Sequence, residues 1–197
     1  MQPDQSLPEP IQITLLVIKV FDELQIPYFI GGSLASAVHG KIRATMDADI
    51  VVDLRVEHIQ DLNNHLDGEF FIDPIAIKNA LNDNRSFNLI HKETMFRIDI
   101  FPLASRSFEQ NQMQRRVLQS LSDHEHAQAY FTTAEDIILA KLNWFRMGGE
   151  TSEQQWQDVL GVIKVQGEML DKEYLQQWAE QLDLLDLLER AIKDARM

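Results

Sequence analysis

Asp47 and Asp49 stand two residues apart where a β-branched run begins, Ala48-Asp49-Ile50-Val51-Val52-Asp53-Leu54. Side chains two apart on a strand point to the same face, roughly 6.5 Å apart along it. Two carboxylates so placed are able to share a hard cation. Mg²⁺ takes oxygen ligands, commonly one or two carboxylates with substrate phosphates completing the shell. A third acid, Asp99, interrupts the apolar run Phe96-Arg97-Ile98-Asp99-Ile100-Phe101. A carboxylate turned toward a core needs a partner, and a metal ion shared with Asp47 and Asp49 would supply one. The other reading is an exposed acid on an edge strand. Upstream, Phe29-Ile30-Gly31-Gly32-Ser33 puts a glycine turn between an apolar strand and a helix. Glycines let the backbone approach a phosphate, and N–H groups at the following helix start favour an anion. In isolation the same residues read as an ordinary strand–helix turn. Acid pairs of the same spacing at Asp67/Glu69, Asp123/Glu125 and Asp171/Glu173 fall in expected loops or helix starts, where solvated acids belong.

The elements that must hold these residues alternate in character. Residues 11–24 predict an amphipathic helix with Ile11, Leu15, Ile18, Phe21 and Leu24 on one face. Tyr28 to Ile30 reads as a buried strand, 34–39 as a short helix closed by Gly40, 48–54 as a strand and 56–66 as a helix. Residues 86–91 and 94–101 read as a hairpin around Lys92-Glu93 stopped by Pro102, and edge strands are expected near Arg116–Leu118 and Ala127–Phe131. From there the pattern is helical. Thr132-x-x-Glu135 and Ser152-x-x-Gln155 are capping boxes, and Asp171 and Asp183 are expected N-caps. Trp144, Trp156 and Trp178 are expected as core anchors. The fold class is therefore mixed α/β (α+β): a core over 11–131 and a C-terminal helical lobe over 132–197.

With 197 residues, 45% hydrophobic, the chain suffices for one substantial core with a small lobe. No cysteine is present, which excludes disulfides, zinc thiolates and cysteine nucleophiles. The N-terminus has no signal-peptide pattern, and no apolar stretch approaches a membrane span. A soluble cytoplasmic protein without membrane contact is the expectation. The formal net charge of −13 argues against broad binding to long nucleic acid. A local basic pocket from Arg43, Arg97, Arg115, Arg116, Lys141 and Arg146 remains open around a triphosphate. Several of the nucleotide-contact candidates have a plainer reading. Arg43 and Thr45 would anchor the loop before the strand. Lys141 and Arg146 would be solvated, or Lys141 would pair with Glu135 or Asp136, and Arg146 with Asp158. His124 and His126 sit in an acidic turn with no third ligand in view and read as solvated loop.

Gly-Gly-Ser, then Asp-x-Asp, then a later Asp on an apolar strand resembles the nucleotidyltransferase superfamily, the polymerase-β-like fold. The stretch Gly31-Gly32-Ser33-Leu34-Ala35-Ser36-Ala37-Val38-His39-Gly40 followed by Arg43-Ala44-Thr45-Met46-Asp47-Ala48-Asp49 is similar to its small bacterial members, among them abortive-infection and toxin–antitoxin nucleotidyltransferases. Ala140-Lys141-Leu142-x-Trp144-Phe145-Arg146, Gly148-Gly149-Glu150 and Gln155-Trp156-x-Asp158-Val159-Leu160-Gly161-Val162 resemble a bacterial subgroup of that set. The resemblance covers most of the chain after residue 11; Ala48 departs from the isoleucine common there. It implies a mixed sheet flanked by helices, with Asp47, Asp49 and Asp99 as metal ligands and catalytic acids. Asp99 would also help activate the acceptor. It implies Gly31, Gly32 and Ser33 on the phosphates, with Arg43, Thr45, Lys141 and Arg146 as further nucleotide contacts. Mg²⁺, with Mn²⁺ able to replace it, would serve transfer of a nucleoside monophosphate from a nucleoside triphosphate to a small molecule, protein or RNA end, releasing pyrophosphate. ATP-binding and an antitoxin partner belong to the same implication. Crowding of the acids is expected to raise at least one carboxyl pKa. The competing class is a non-catalytic nucleotide-binding or protein-interaction module on the same fold.

Overall fold

The computed structural model describes residues 7–40, 47–121 and 127–196. The chain forms two compact units, one of Met1–Ile30 with Thr45–Phe131, the other of Gly31–Ala44 with Thr132–Met197. The second unit takes in the glycine turn and the helix after it, which the sequence places in the core.

The first unit is built on a seven-stranded mixed sheet. Its strands are β1 (Tyr28–Ile30), β2 (Asp47–Val52), β3 (Phe70–Phe71), β4 (Phe87–His91), β5 (Arg97–Pro102), β6 (Val117–Ser120) and β7 (Gln128–Phe131), in the order β3-β4-β5-β2-β1-β7-β6. β2 runs parallel to β5 and β1 parallel to β7; the remaining pairs are antiparallel. β7 is thus an interior strand, with only β6 at that edge, where the sequence suggested an edge strand. Burial alternates along β2 and β5. Ala48, Ile50, Val52, Ile98 and Ile100 are buried, whereas Asp47, Asp49, Val51, Arg97 and Asp99 are not. Helix α1 (Glu9–Glu23) packs on β2 and on α3 (Ile59–Leu66), and α3 packs on α4 (Pro74–Asn82). Val17, Ile18, Phe21, Leu62 and Leu66 are their buried contribution to this core.

Two helices in this unit escape the sequence reading. α4 starts on an Asp73 cap whose carboxylate accepts from the Ile75 and Ala76 N–H groups, with Pro74 at the first helical position. α5 (Ser107–Arg115) covers a polar stretch in which only Phe108, Gln112 and Met113 are buried. Its apolar stripe is too thin to register as a period. The strand expected from residue 94 begins at Arg97, because Met95 takes a left-handed φ of 60° in the turn.

The second unit is helical. Its elements are α2 (Gly32–His39), α6 (Ala134–Met147), α7 (Glu153–Gln166), α8 (Lys172–Gln181) and α9 (Leu185–Ala195). α6 is capped by Thr133 rather than Thr132; the Thr133 hydroxyl accepts from the Asp136 N–H. Ser152 and Asp171 cap α7 and α8 as expected, but α9 follows Leu184 with no side-chain cap, so Asp183 does not serve. Trp156 is buried and stacks on Phe145 with ring centroids 5.1 Å apart. Trp144 is 53% exposed. Its helix turns Ile138, Leu142 and Phe145 inward, and at helical spacing residue 144 points elsewhere.

Three contacts fix α2 within this unit. The buried His39 donates from Nε2 to the Thr132 carbonyl at 2.7 Å, since a carbonyl only accepts. Gln166 donates to the His39 carbonyl at 2.7 Å. Gly40 lies against α7, where an added Cβ would sit 2.8 Å from the Ser36 oxygen and 2.9 Å from the Val162 nitrogen. Both are backbone atoms that cannot swing aside. Gly40→Ala should therefore cost about 1–3 kcal/mol in urea unfolding, the usual range for overpacking; an unchanged midpoint would show that the approach is slack. Burial holds the His39 pKa below its ordinary value, against the smaller opposing pull of the Thr132 carbonyl and Glu135. Below about pH 6.5 the unfolded chain takes up a proton that the folded chain refuses, so stability falls as pH falls. Urea midpoints compared at neutral pH and near pH 5 should drop further for the wild type than for His39→Gln; parallel slopes would remove His39 from the pH dependence.

Candidate active site

β2 and β5 pair in register, with Asp47 opposite Arg97 and Asp49 opposite Asp99. Adjacent strands lie about 4.8 Å apart. Because side chains two apart share a face, Asp47, Asp49, Arg97 and Asp99 stand together on the face opposite Ile50 and Ile98. β5 is interior, between β4 and β2. The edge-strand reading of Asp99 therefore falls away. The Asp99 side chain is only 15% exposed, against 38% for Asp47.

Arg97 bridges two of the acids. Its Nη2 is 3.0 Å from Asp99 Oδ2 and 3.4 Å from Asp47 Oδ2. The sequence reading names Arg97 only among basic candidates. Its nearness to Asp99, two residues on along the same strand, was legible, but its place opposite Asp47 comes from the register. The Asp99 pKa is raised from the ordinary carboxylate value, first by burial and then by the Asp47 charge, while Arg97 pulls it down. A raised carboxyl was expected from crowding alone; here burial leads.

Among the described residues, no three His, Asp or Glu side chains already stand close enough to form a metal cage. The donor set nevertheless fits a hard divalent cation in kind: carboxylates on one face of adjacent strands, two of which already share the guanidinium cation.

The glycine turn belongs to the other unit. Gly32 has φ +53°, a left-handed conformation that a side chain would strain. Gly31 accepts from the Ala35 N–H at 3.1 Å, and the Ser36 hydroxyl donates to the Gly32 carbonyl at 2.9 Å. Ser33 is buried. Arg43, Thr45, His124 and His126 lie outside the described residues.

Lys141 and Arg146 each have a carboxylate partner within the helical unit. Lys141 is buried, with Nζ 2.8 Å from Asp158 Oδ2, joining α6 to α7. Neither Glu135 nor Asp136 takes that role. Asp136, fully buried, accepts from the Tyr174 hydroxyl. Arg146 pairs with Asp186 at 2.6 Å and with Glu150 at 3.2 Å. Arg116 stacks over Tyr130 at 4.7 Å.

No protein-family model matches the sequence, and no curated protein sequence matches it. Solved structures do. An antigenic nucleotidyltransferase-like protein from Paracoccidioides brasiliensis aligns with TM-score 0.55 at 15% identity, over 94% of this chain and 92% of that one. ANT(2″)-Ia in complex with adenylyl-2″-tobramycin aligns with TM-score 0.50 at 12% identity, over 92% of this chain and 97% of that one. The chain has the nucleotidyltransferase fold. No helix among the described residues is long and apolar enough to cross a membrane.

The raised Asp99 pKa carries a stability consequence. Between the unfolded value of about 3.9 and the raised folded one, the folded chain binds more protons, so stability declines as pH rises through that window. Asp99→Asn removes this cost. It should be at least as stable as the wild type in urea near pH 7, with the gap closing near pH 4. A variant weaker at pH 7 would mean that the Arg97 attraction outweighs burial.

Proposed function

We propose that this protein is a metal-dependent nucleotidyltransferase that moves a nucleoside monophosphate from a nucleoside triphosphate to an acceptor hydroxyl. The observation that carries this reading is the β2–β5 register, which sets Asp47, Asp49 and Asp99 on one face of interior strands. The nucleotidyltransferase fold supports it.

In this reading Asp47, Asp49 and Asp99 hold Mg²⁺, for which Mn²⁺ is a substitute. The ion supplies charge neutralisation on the phosphates and polarisation of the α-phosphorus. Gly31, Gly32 and Ser33 offer backbone and hydroxyl donors to the β- and γ-phosphates. Asp99 takes the proton of the acceptor hydroxyl. The acceptor oxygen–phosphorus bond forms, the bond from the α-phosphorus to the bridging oxygen breaks, and pyrophosphate leaves. Arg43 and Thr45 remain proposed nucleotide contacts. Lys141 and Arg146, engaged with Asp158 and Asp186, serve the helical unit instead. ANT(2″)-Ia forms a complex with adenylyl-2″-tobramycin, and a net charge of −13 also suits a small molecule or protein acceptor better than long RNA.

Calorimetry with ATP, GTP, CTP and UTP in Mg²⁺ tests this on the wild type and on Asp47→Asn/Asp49→Asn. At least one triphosphate should bind. The double variant or EDTA should weaken it by about tenfold or more, equal to about 1.4 kcal/mol. Failure of every triphosphate on folded wild type sinks the enzyme reading; binding without pyrophosphate release on any acceptor favours the non-catalytic module.

A further inference from the structure

We infer that Arg97 is a resident counter-cation of the acid cluster, and that a divalent ion and the Arg97 guanidinium compete for the carboxylate oxygens of Asp47 and Asp99. This rests on the reading that Asp47, Asp49 and Asp99 hold the ion. The guanidinium bridges Asp99 and Asp47 at 3.0 and 3.4 Å, using Oδ2 of each. Register brings this bridge within reach, because Arg97 is the strand partner of Asp47 and lies two residues from Asp99 on the same face. A divalent ion shared by the same carboxylates needs their oxygens at about 2.0–2.1 Å, a shell with no room for a guanidinium fork. Arg97 is 49% exposed on a long flexible side chain, so it is able to swing into solvent without moving the strand.

Two consequences follow. Arg97 weakens binding of the bare ion, because its pairs must break first. It also relieves repulsion between Asp47 and Asp99 when no ion is bound. Half-exposed pairs of this kind are worth little each, so Arg97→Gln should bind Mn²⁺ about 3- to 10-fold tighter. Both pairs use the one nitrogen Nη2, so Arg97→Lys, which keeps the charge on a single donor nitrogen, should bind Mn²⁺ less tightly than Arg97→Gln.

The test is Mn²⁺ titration followed by electron paramagnetic resonance on wild type, Arg97→Gln, Arg97→Lys and Asp49→Asn, with thermal unfolding in EDTA and in Mg²⁺. Tighter Mn²⁺ binding in Arg97→Gln than in the wild type and Arg97→Lys, with a larger Mg²⁺-dependent rise in Tm than in the wild type, supports the inference. Equal or weaker binding in Arg97→Gln overturns it while leaving the ion site in place. Arg97→Lys binding Mn²⁺ as tightly as Arg97→Gln overturns the counter-cation role, because the charge would then not matter. No Mn²⁺ binding to wild type, or binding unaffected by Asp49→Asn, refutes instead the assignment of the ion site. Should Arg97→Gln not fold, guanidinium NMR of wild-type Arg97 decides: its Nη protons should lose exchange protection as Mg²⁺ is added, and unchanged protection overturns the inference.

Discussion

Like charges repel, and β2 and β5 put three carboxylates on one sheet face. At separations near 6 Å, each half-solvated pair costs about 1–3 kcal/mol or less. Holding them there depends on the opposite face. Ile50, Val52, Ile98 and Ile100 are fully buried, and each such side chain contributes about 1.5–3 kcal/mol. The burial exceeds the repulsion, so the sheet forms and the acids stay where the pleat puts them. Two neighbours soften the repulsion further: Arg97 stands opposite Asp47, and β4 sets an amide, Asn88, opposite Asp99 rather than another acid.

The same arithmetic fixes the register. A slip by one residue on β5 would turn Asp99 and Arg97 into the core and Ile98 and Ile100 out to solvent. Burying an unpaired carboxylate costs far more than losing one strand pair, so the apolar alternation of β5 aligns Asp99 with Asp49. The acid cluster and the core are therefore two consequences of one pairing.

That pairing is why so much was legible in the sequence. Alternation around Asp49 and Asp99 gave both strands, and the i, i+2 spacing gave their common face. What sequence could not give was the neighbour across the ladder. Arg97 looked like one cation among six until the register set it against Asp47. Lys141 and Arg146 were open between a ligand and a carboxylate partner, and their actual partners, Asp158 and Asp186, are 17 and 40 positions along the chain. Helices α4 and α5 were missed for another reason: only Ile77 is buried in α4, too little to leave a period. The cap of α6 slipped by one, because Thr132 and Thr133 are both good caps and only burial of Thr132 chooses between them.

The helix after the glycine turn makes a different demand. An eight-residue helix is far below the length at which helices hold themselves in water, and α2 also carries Gly32 in a left-handed conformation. Its shape must come from tertiary contacts. His39 at its last turn, Gln166 on α7 and the bare backbone at Gly40 supply them. All three lie at the C-terminal end of α2, and Gly31 to Ser33 lie at the other. The contacts that anchor the helix thus lie at the end away from the glycine turn. The sheet carries the acids, and α2 takes its order from α6 and α7, on which it packs.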